Sequence, residues 1–172
     1  WKEDLNLGYM AVIPSQTRAL EYLGRMARQY PDAPLRIGGH SKGGNLAVYA
    51  AVHTPAAVQD RIVQVYNNDG PGFLQDLSAL PEHRRIAGRI LTVVPQSSVV
   101  GQILEHEQNV QVVQSDAEGV MQHDGFSWQV ERDRFVHLDG FSREGKVFDE
   151  TLESWENALG PKQREAFADA LY

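Results

Sequence analysis

Cysteine is absent from the 172 residues, which excludes disulfide staples, thiolate metal sites and a cysteine nucleophile. Positive charge is in short supply: 16 Lys and Arg against 23 Asp and Glu leave a formal net charge of −7. The densest basic spot is the pair Arg84–Arg85, too little to track a phosphate backbone, so no nucleic-acid partner is expected. Long apolar runs are missing as well, and none approaches the roughly 20 residues of a membrane-spanning helix. No H-E-x-x-H occurs, and the His and carboxylate residues show no ligand spacing on a shared face. Neither a metal nor another cofactor is therefore expected. Internal repeats, low-complexity tracts and linkers are also lacking. What is there is 42% hydrophobic and 23% charged, ordinary for one soluble globular domain spanning residues 1–172.

The chain opens on Trp1-Lys2-Glu3-Asp4, with no initiator Met and no signal-like segment. It reads as the C-terminal portion of a longer domain, and a cytoplasmic location is expected. Residues 15–30 put Leu20, Leu23, Met26, Ala27 and Tyr30 on one helical face, and Pro31 and Pro34 end that helix. A short strand, Leu35–Gly39, enters a glycine turn, and Asn45–His53 reads as the helix beyond it. Arg61–Tyr66, Arg89–Val94 and Val110–Val113 read as further strands. Alternation at Phe126, Trp128 and Val130, and again over Phe135–Leu138, predicts a hairpin at the end of the sheet. Phe148, Leu152, Trp155 and Leu159 predict a late helix closed by Gly160-Pro161, with a short last helix after it. Strands alternating with helices predict an α/β fold with a mostly parallel sheet covered on both faces.

The informative stretch is Ile37–Leu46, which carries G-x-S-x-G at Gly39, Ser41 and Gly43 between a predicted strand and a predicted helix. A nucleophilic serine must stand clear of the sheet on a sharp turn. Side chains at Gly39 and Gly43 are expected to collide with the neighbouring strand and helix. The turn would also aim the backbone N–H of Lys42 at a developing oxyanion. A phosphate-binding loop needs Gly-Lys-Ser/Thr in that order, whereas here the order is Ser41-Lys42-Gly43. The dinucleotide pattern fails too, because neither Gly38 nor Gly39 has a glycine two residues on.

A serine hydroxyl is inert without a base, and the base needs an orienting acid. The chain order Ser, acid, His removes His40, whose side chain is expected to point elsewhere, and disfavours His53 within the following helix. His123 is the preferred base, since it lies in a loop after the fourth predicted strand. His137 is second choice, while His83 and His106 read as surface residues in charged segments. For the acid, Asp69 ends the strand after the nucleophile helix, at an edge where carboxylates line the site of such sheets. Its competing reading is a turn residue binding local backbone N–H groups. Asp116 is weaker, and Asp124 stands too close to His123 in sequence to orient it easily.

The segment Gly39-His40-Ser41-Lys42-Gly43-Gly44-Asn45-Leu46-Ala47 resembles the nucleophile turn of the fungal-type triacylglycerol lipases. The whole chain is similar to a bacterial lipase-like family of unassigned activity, through Gly39–Ala51, Tyr66–Phe73, Val94–Gly101 and Met121–Trp128. The resemblance implies an α/β-hydrolase three-layer sandwich with a serine-hydrolase site, and its base loop corresponds to His123-Asp124-Gly125. The fungal-type acid falls at Ser97 or Ser98, a departure. Pancreatic-type lipases place it after the preceding strand, where Asp69 stands. Trp1–Leu5 resembles the segment downstream of the strand that carries the second oxyanion donor, so that strand and other early ones are expected before residue 1.

The expected activity is hydrolysis of an ester or related acyl bond, in a small molecule or a lipid, through an acyl-enzyme on Ser41. The rival is a non-catalytic binding or scaffolding module on the same fold, and a weaker third reading is thioester or amide hydrolysis. Residues 102–122 read equally as a mobile cover over the site or as ordinary connection.

Overall fold

The computed structural model describes residues 7, 9–102, 109–143, 145 and 163. Helix α1 spans Pro14–Gln29. Pro14 suits its first turn because a proline there has no N–H to leave unpaired. The Gln16 side chain accepts a hydrogen bond from Ile13 N at 3.0 Å and so takes up a donor the helix cannot. Gln16, Leu23 and Ala27 form the buried stripe of this helix. Tyr30, expected on that face, lies beyond the helix and is exposed. The last carbonyls of α1 are held by Arg61, which donates to Ala27 O at 2.9 Å and to Tyr30 O.

Strand β1 runs Leu35–His40 and is followed, across Ser41, by helix α2 at Lys42–His53. A single helical turn, α3, covers Ala56–Gln59 and leads to β2 at Ile62–Asn68. Helix α4 at Pro81–Ile86 precedes β3 at Ile90–Pro95, and β4 follows at Val110–Val113. Three short strands complete the described chain: β5 at Val130–Glu131, β6 at Arg134–Phe135 and β7 at His137–Leu138. The main sheet has the order β1-β2-β3-β4-β7, parallel except for β7, which joins β4 antiparallel. This is the mostly parallel α/β sheet that the alternation of elements predicts.

The expected hairpin is divided. β5 and β6 pair only with each other, whereas β7 extends the main sheet. Phe126 sits fully exposed in a 3₁₀ turn, Gly125–Ser127, instead of on a strand. That turn forms because the Asp124 carboxylate accepts from Phe126 N at 3.0 Å, a local bond that competes with extended pairing. The late helices predicted over 148–159 and beyond lie outside the described residues, as do His106 and Trp1–Leu5. Of the segment 102–122, the described part beyond residue 108 forms β4 and a connecting loop with a 3₁₀ turn at Gly119–His123.

One core lies between the sheet and its helices, where Ala47, Val48, Ala51 and Val52 of α2 meet Ile62, Val65, Ile86 and Ile90. Val48 and Val52 are completely buried, each stabilising by roughly 1.5–3 kcal/mol. A second cluster joins Val93 and Val113 to Trp128, with Leu91 and Phe135 against it. Val93 and Leu91 alternate with Ile90 along β3, so the second cluster lies on the opposite face of the sheet. Both faces are thus covered over β3.

The parallel strands end together, and this positions the site. His40 pairs with Asn68, Asn68 with Val93, and Pro95 with Val113. The residues that follow these strands therefore emerge along one edge, at the carboxyl ends, where open α/β sheets place their ligands.

Candidate active site

Ser41 follows β1 and Asp69 follows β2, so the register sets them side by side. The Ser41 N–H continues the ladder by donating to Asn68 O at 2.9 Å, and Asp69 N donates to Val93 O at 2.8 Å. Among the described residues, three non-glycine positions have positive φ: Ser41 at 57°, Asp69 at 51° and Arg132 at 60°. Aspartate tolerates the left-handed region, whereas serine at φ 57° and ψ −134° is under backbone strain. Such strain persists only where the surroundings enforce it, and here they do. A Cβ on Gly39 would fall inside the Gly43 backbone, and one on Gly70 would overlap the Asn67 side-chain oxygen and meet Ser41 O.

The expected role of Gly43 needs correction. A Cβ there would meet nothing within 4 Å, so the turn does not require glycine at that position. Gly44 is the tight one, since its Cβ would overlap the side-chain oxygen of Asn67. Asn67 is buried, and the same oxygen accepts from Gly70 N at 3.1 Å, which shapes the turn after Asp69. Helix α2 begins at Lys42, earlier than the composition indicates, because the strained turn feeds it directly. The Lys42 backbone N–H thereby lies at the positive end of the helix.

Asp69 is fully buried and reaches three donors. Its Oδ2 lies 2.7 Å from His123 Nδ1. Its Oδ1 accepts from the Ser98 hydroxyl at 2.5 Å and from Gly101 N at 3.1 Å. A carboxylate oxygen accepts, so this contact makes Nδ1 the donor nitrogen of His123 and turns Nε2 away from Asp69. The His123 side chain is 24% exposed, enough to meet a substrate while its partner is sealed. Gly101 has a packing reason, as a Cβ there would strike Asp69 Oδ1. Ser98 occupies the loop after β3 where the fungal-type resemblance would put an acid. It donates to Asp69, which follows the adjacent strand, instead.

Asp69 and His123 are thus in contact, and Ser41 stands at the same sheet edge. The other carboxylates are engaged elsewhere: Asp124 with Phe126 N, and Asp116 with the Gln129 side chain. His137 is exposed on β7, and His53 closes α2, where its ring lies 4.3 Å from Tyr49. His83 is not at the surface as its charged neighbours imply, because α4 turns it into the protein and leaves it buried. His40 is the larger surprise. Its ring centroid is 4.5 Å from that of His123, and its Nε2 lies 2.6 Å from the His123 carbonyl oxygen.

Several supporting residues escape a motif reading. Asn45 is buried on α2, donates to Pro71 O at 3.1 Å and Gly72 O at 2.8 Å, and accepts from Gln16 at 2.8 Å. It ties α1, α2 and the Asp69 turn together. Gln122 is buried just before His123, and its side-chain oxygen accepts from Ser97 N at 3.0 Å. Trp128 Nε1 donates to Gln122 O at 2.8 Å. The only sequence signal for these residues is that they fall within, or beside, the four segments that carry the family resemblance. Beside the His123 loop, an open cleft of about 470 Å³ is lined by polar side chains that include Gln96, Ser97, Glu118 and Arg143.

A family model matches the whole chain, residues 1–172, and it is that of the Mbeg1-like family. The chain belongs to the Mbeg1-like family. No curated protein and no solved structure matches it. In this Mbeg1-like chain, no described helix is long and apolar enough to cross a membrane. No group of three or more His, Cys, Asp or Glu side chains among the described residues is arranged to hold a metal ion.

Proposed function

We propose that this protein is a serine hydrolase that cleaves an ester or related acyl bond, built as an α/β-hydrolase sandwich. The observation that carries the reading is the 2.7 Å bond from His123 Nδ1 to a fully buried Asp69, on the sheet edge where the strained Ser41 stands. That bond sets the tautomer a general base requires. Membership of the Mbeg1-like family, which is lipase-like, agrees with it.

In this mechanism Ser41 Oγ attacks the acyl carbonyl carbon while His123 Nε2 takes its proton. Asp69 stabilises the imidazolium through Nδ1. The Lys42 N–H, helped by the α2 helix end, stabilises the oxyanion. The tetrahedral intermediate collapses as the leaving group departs with the proton from Nε2. Water, deprotonated by His123, then attacks the acyl-Ser41 ester, and protonated Ser41 is restored as the acid leaves. Removing such a base or acid typically lowers turnover by orders of magnitude.

The test is covalent labelling of the full-length protein with a fluorophosphonate at neutral pH, with mass spectrometry of the modified peptide. Labelling at Ser41 is expected, with none in Ser41→Ala. A folded protein that takes no label at Ser41 refutes the hydrolase reading and favours a binding module on the same fold.

A further inference from the structure

We infer that His40 is a positioning residue that locks the base loop onto the nucleophile turn; the inference rests on the hydrolase reading and deepens it. The nucleophile and the base come from different parts of the chain. Ser41 lies between β1 and α2, whereas His123 ends a 3₁₀ turn after β4. The Asp69 bond orients the His123 ring but leaves the main chain of its loop to be held by something else.

His40 supplies that hold. A carbonyl oxygen only accepts, so the 2.6 Å approach of His40 Nε2 to His123 O makes Nε2 the protonated nitrogen of His40. Its ring also lies against the His123 ring at 4.5 Å, tilted by 36°. On the neighbouring residue, Trp128 Nε1 donates to Gln122 O at 2.8 Å. Two successive carbonyls of the base loop are therefore each held by a ring N–H from a different element. Trp128 in turn meets His40 edge-on, with centroids 6.5 Å apart. Because His40 is the residue before Ser41, any drift of the base loop away from the nucleophile must break its bond. Displacement of about 1 Å at such a site can cost about 100-fold in rate.

The variants His40→Gln and His40→Phe separate the donor from the ring. Glutamine places its amide nitrogen near the position of Nε2, whereas phenylalanine keeps the ring contact and loses the bond. In ester turnover by the full-length protein, H40F is expected to lower kcat by about 100-fold with KM little changed, and H40Q to retain most of the activity. A second readout does not need turnover: the proton NMR resonance of His123 Nδ1–H, which reports whether the ring stays on Asp69. It should be sharp in the wild type and H40Q, and broadened by exchange in H40F. An unchanged resonance and kcat in folded H40F, or equal losses in H40Q and H40F, would overturn the assignment. If H40F does not fold, His40→Asn, too short to reach the carbonyl, takes its place with the same expected outcomes. A wild type with the sharp resonance but no turnover would count against the hydrolase reading and leave the positioning role standing.

Discussion

Replacing Asp69 by asparagine keeps the shape of the side chain and removes its charge. The outcome follows from the three donors around it: His123 Nδ1–H at 2.7 Å, the Ser98 hydroxyl at 2.5 Å and Gly101 N–H at 3.1 Å. An amide offers one oxygen and one NH₂. The Gly101 N–H is backbone and cannot turn away, and leaving a buried donor unpaired costs about 1–3 kcal/mol. The amide oxygen therefore faces Gly101 and Ser98, and the NH₂ faces His123. That stabilises the imidazole tautomer with its proton on Nε2, which cannot accept the serine proton. A wrong-tautomer lesion of this kind costs about 10⁴ in kcat, or about 5.4 kcal/mol at 1.36 kcal/mol per tenfold. The assay is steady-state hydrolysis of a p-nitrophenyl ester by the full-length protein, with circular dichroism to verify the fold. KM should barely move. A folded Asp69→Asn variant within threefold of wild-type kcat would refute the reasoning and point to another acid.

Two further predictions concern stability. Gly44→Ala should destabilise by about 1–3 kcal/mol, since its methyl group would overlap the buried Asn67 side chain. Gly43→Ala should be tolerated, because nothing lies within 4 Å of its added Cβ. Thermal melts of the two variants decide the matter, and similar losses in both would contradict the packing argument. Burial holds the His53 imidazole below its ordinary value of 6.5, with the Glu82 carboxylate pulling the other way. As pH falls, the unfolded chain then takes up this proton before the folded one. This contribution therefore lowers stability below about pH 6.5, until the folded-state group is protonated as well. His53→Gln should flatten that part of the slope in denaturant titrations at pH 7.5 and 5.5, and an unchanged slope would count against it.

The parallel sheet was legible because β2, β3 and β4 are short runs rich in β-branched residues, and because β1 and β2 are each followed by a turn and then a helix-forming stretch. Asp69 and His123 were both placed at the sheet edge by the same reasoning, and the structure puts their side chains in contact. Periodicity failed where local side-chain bonds decided the backbone, as at Phe126, where the Asp124 carboxylate forms a 3₁₀ turn. Charged neighbours misled at His83, because on the short helix α4 the flanking Glu82, Arg84 and Arg85 face outward while His83 faces the core. His40 could not be read correctly either. Its position within the turn is local, but the loop it meets is 83 residues away. No spacing rule carries that contact. Asn45 and Gln16 raise the same difficulty, since two polar residues 29 apart reveal their bond only once α1 and α2 are packed.

The order β1-β2-β3-β4 is also the order of the chain. The segment after each successive strand therefore delivers one more member of the candidate site: Ser41, then Asp69, then Ser98, then His123. On the hydrolase reading, a growing polypeptide exposes its serine first and acquires the base last. On that reading the hydroxyl has no base beside it until the segment after β4 carries the His123 imidazole to the Asp69 carboxylate.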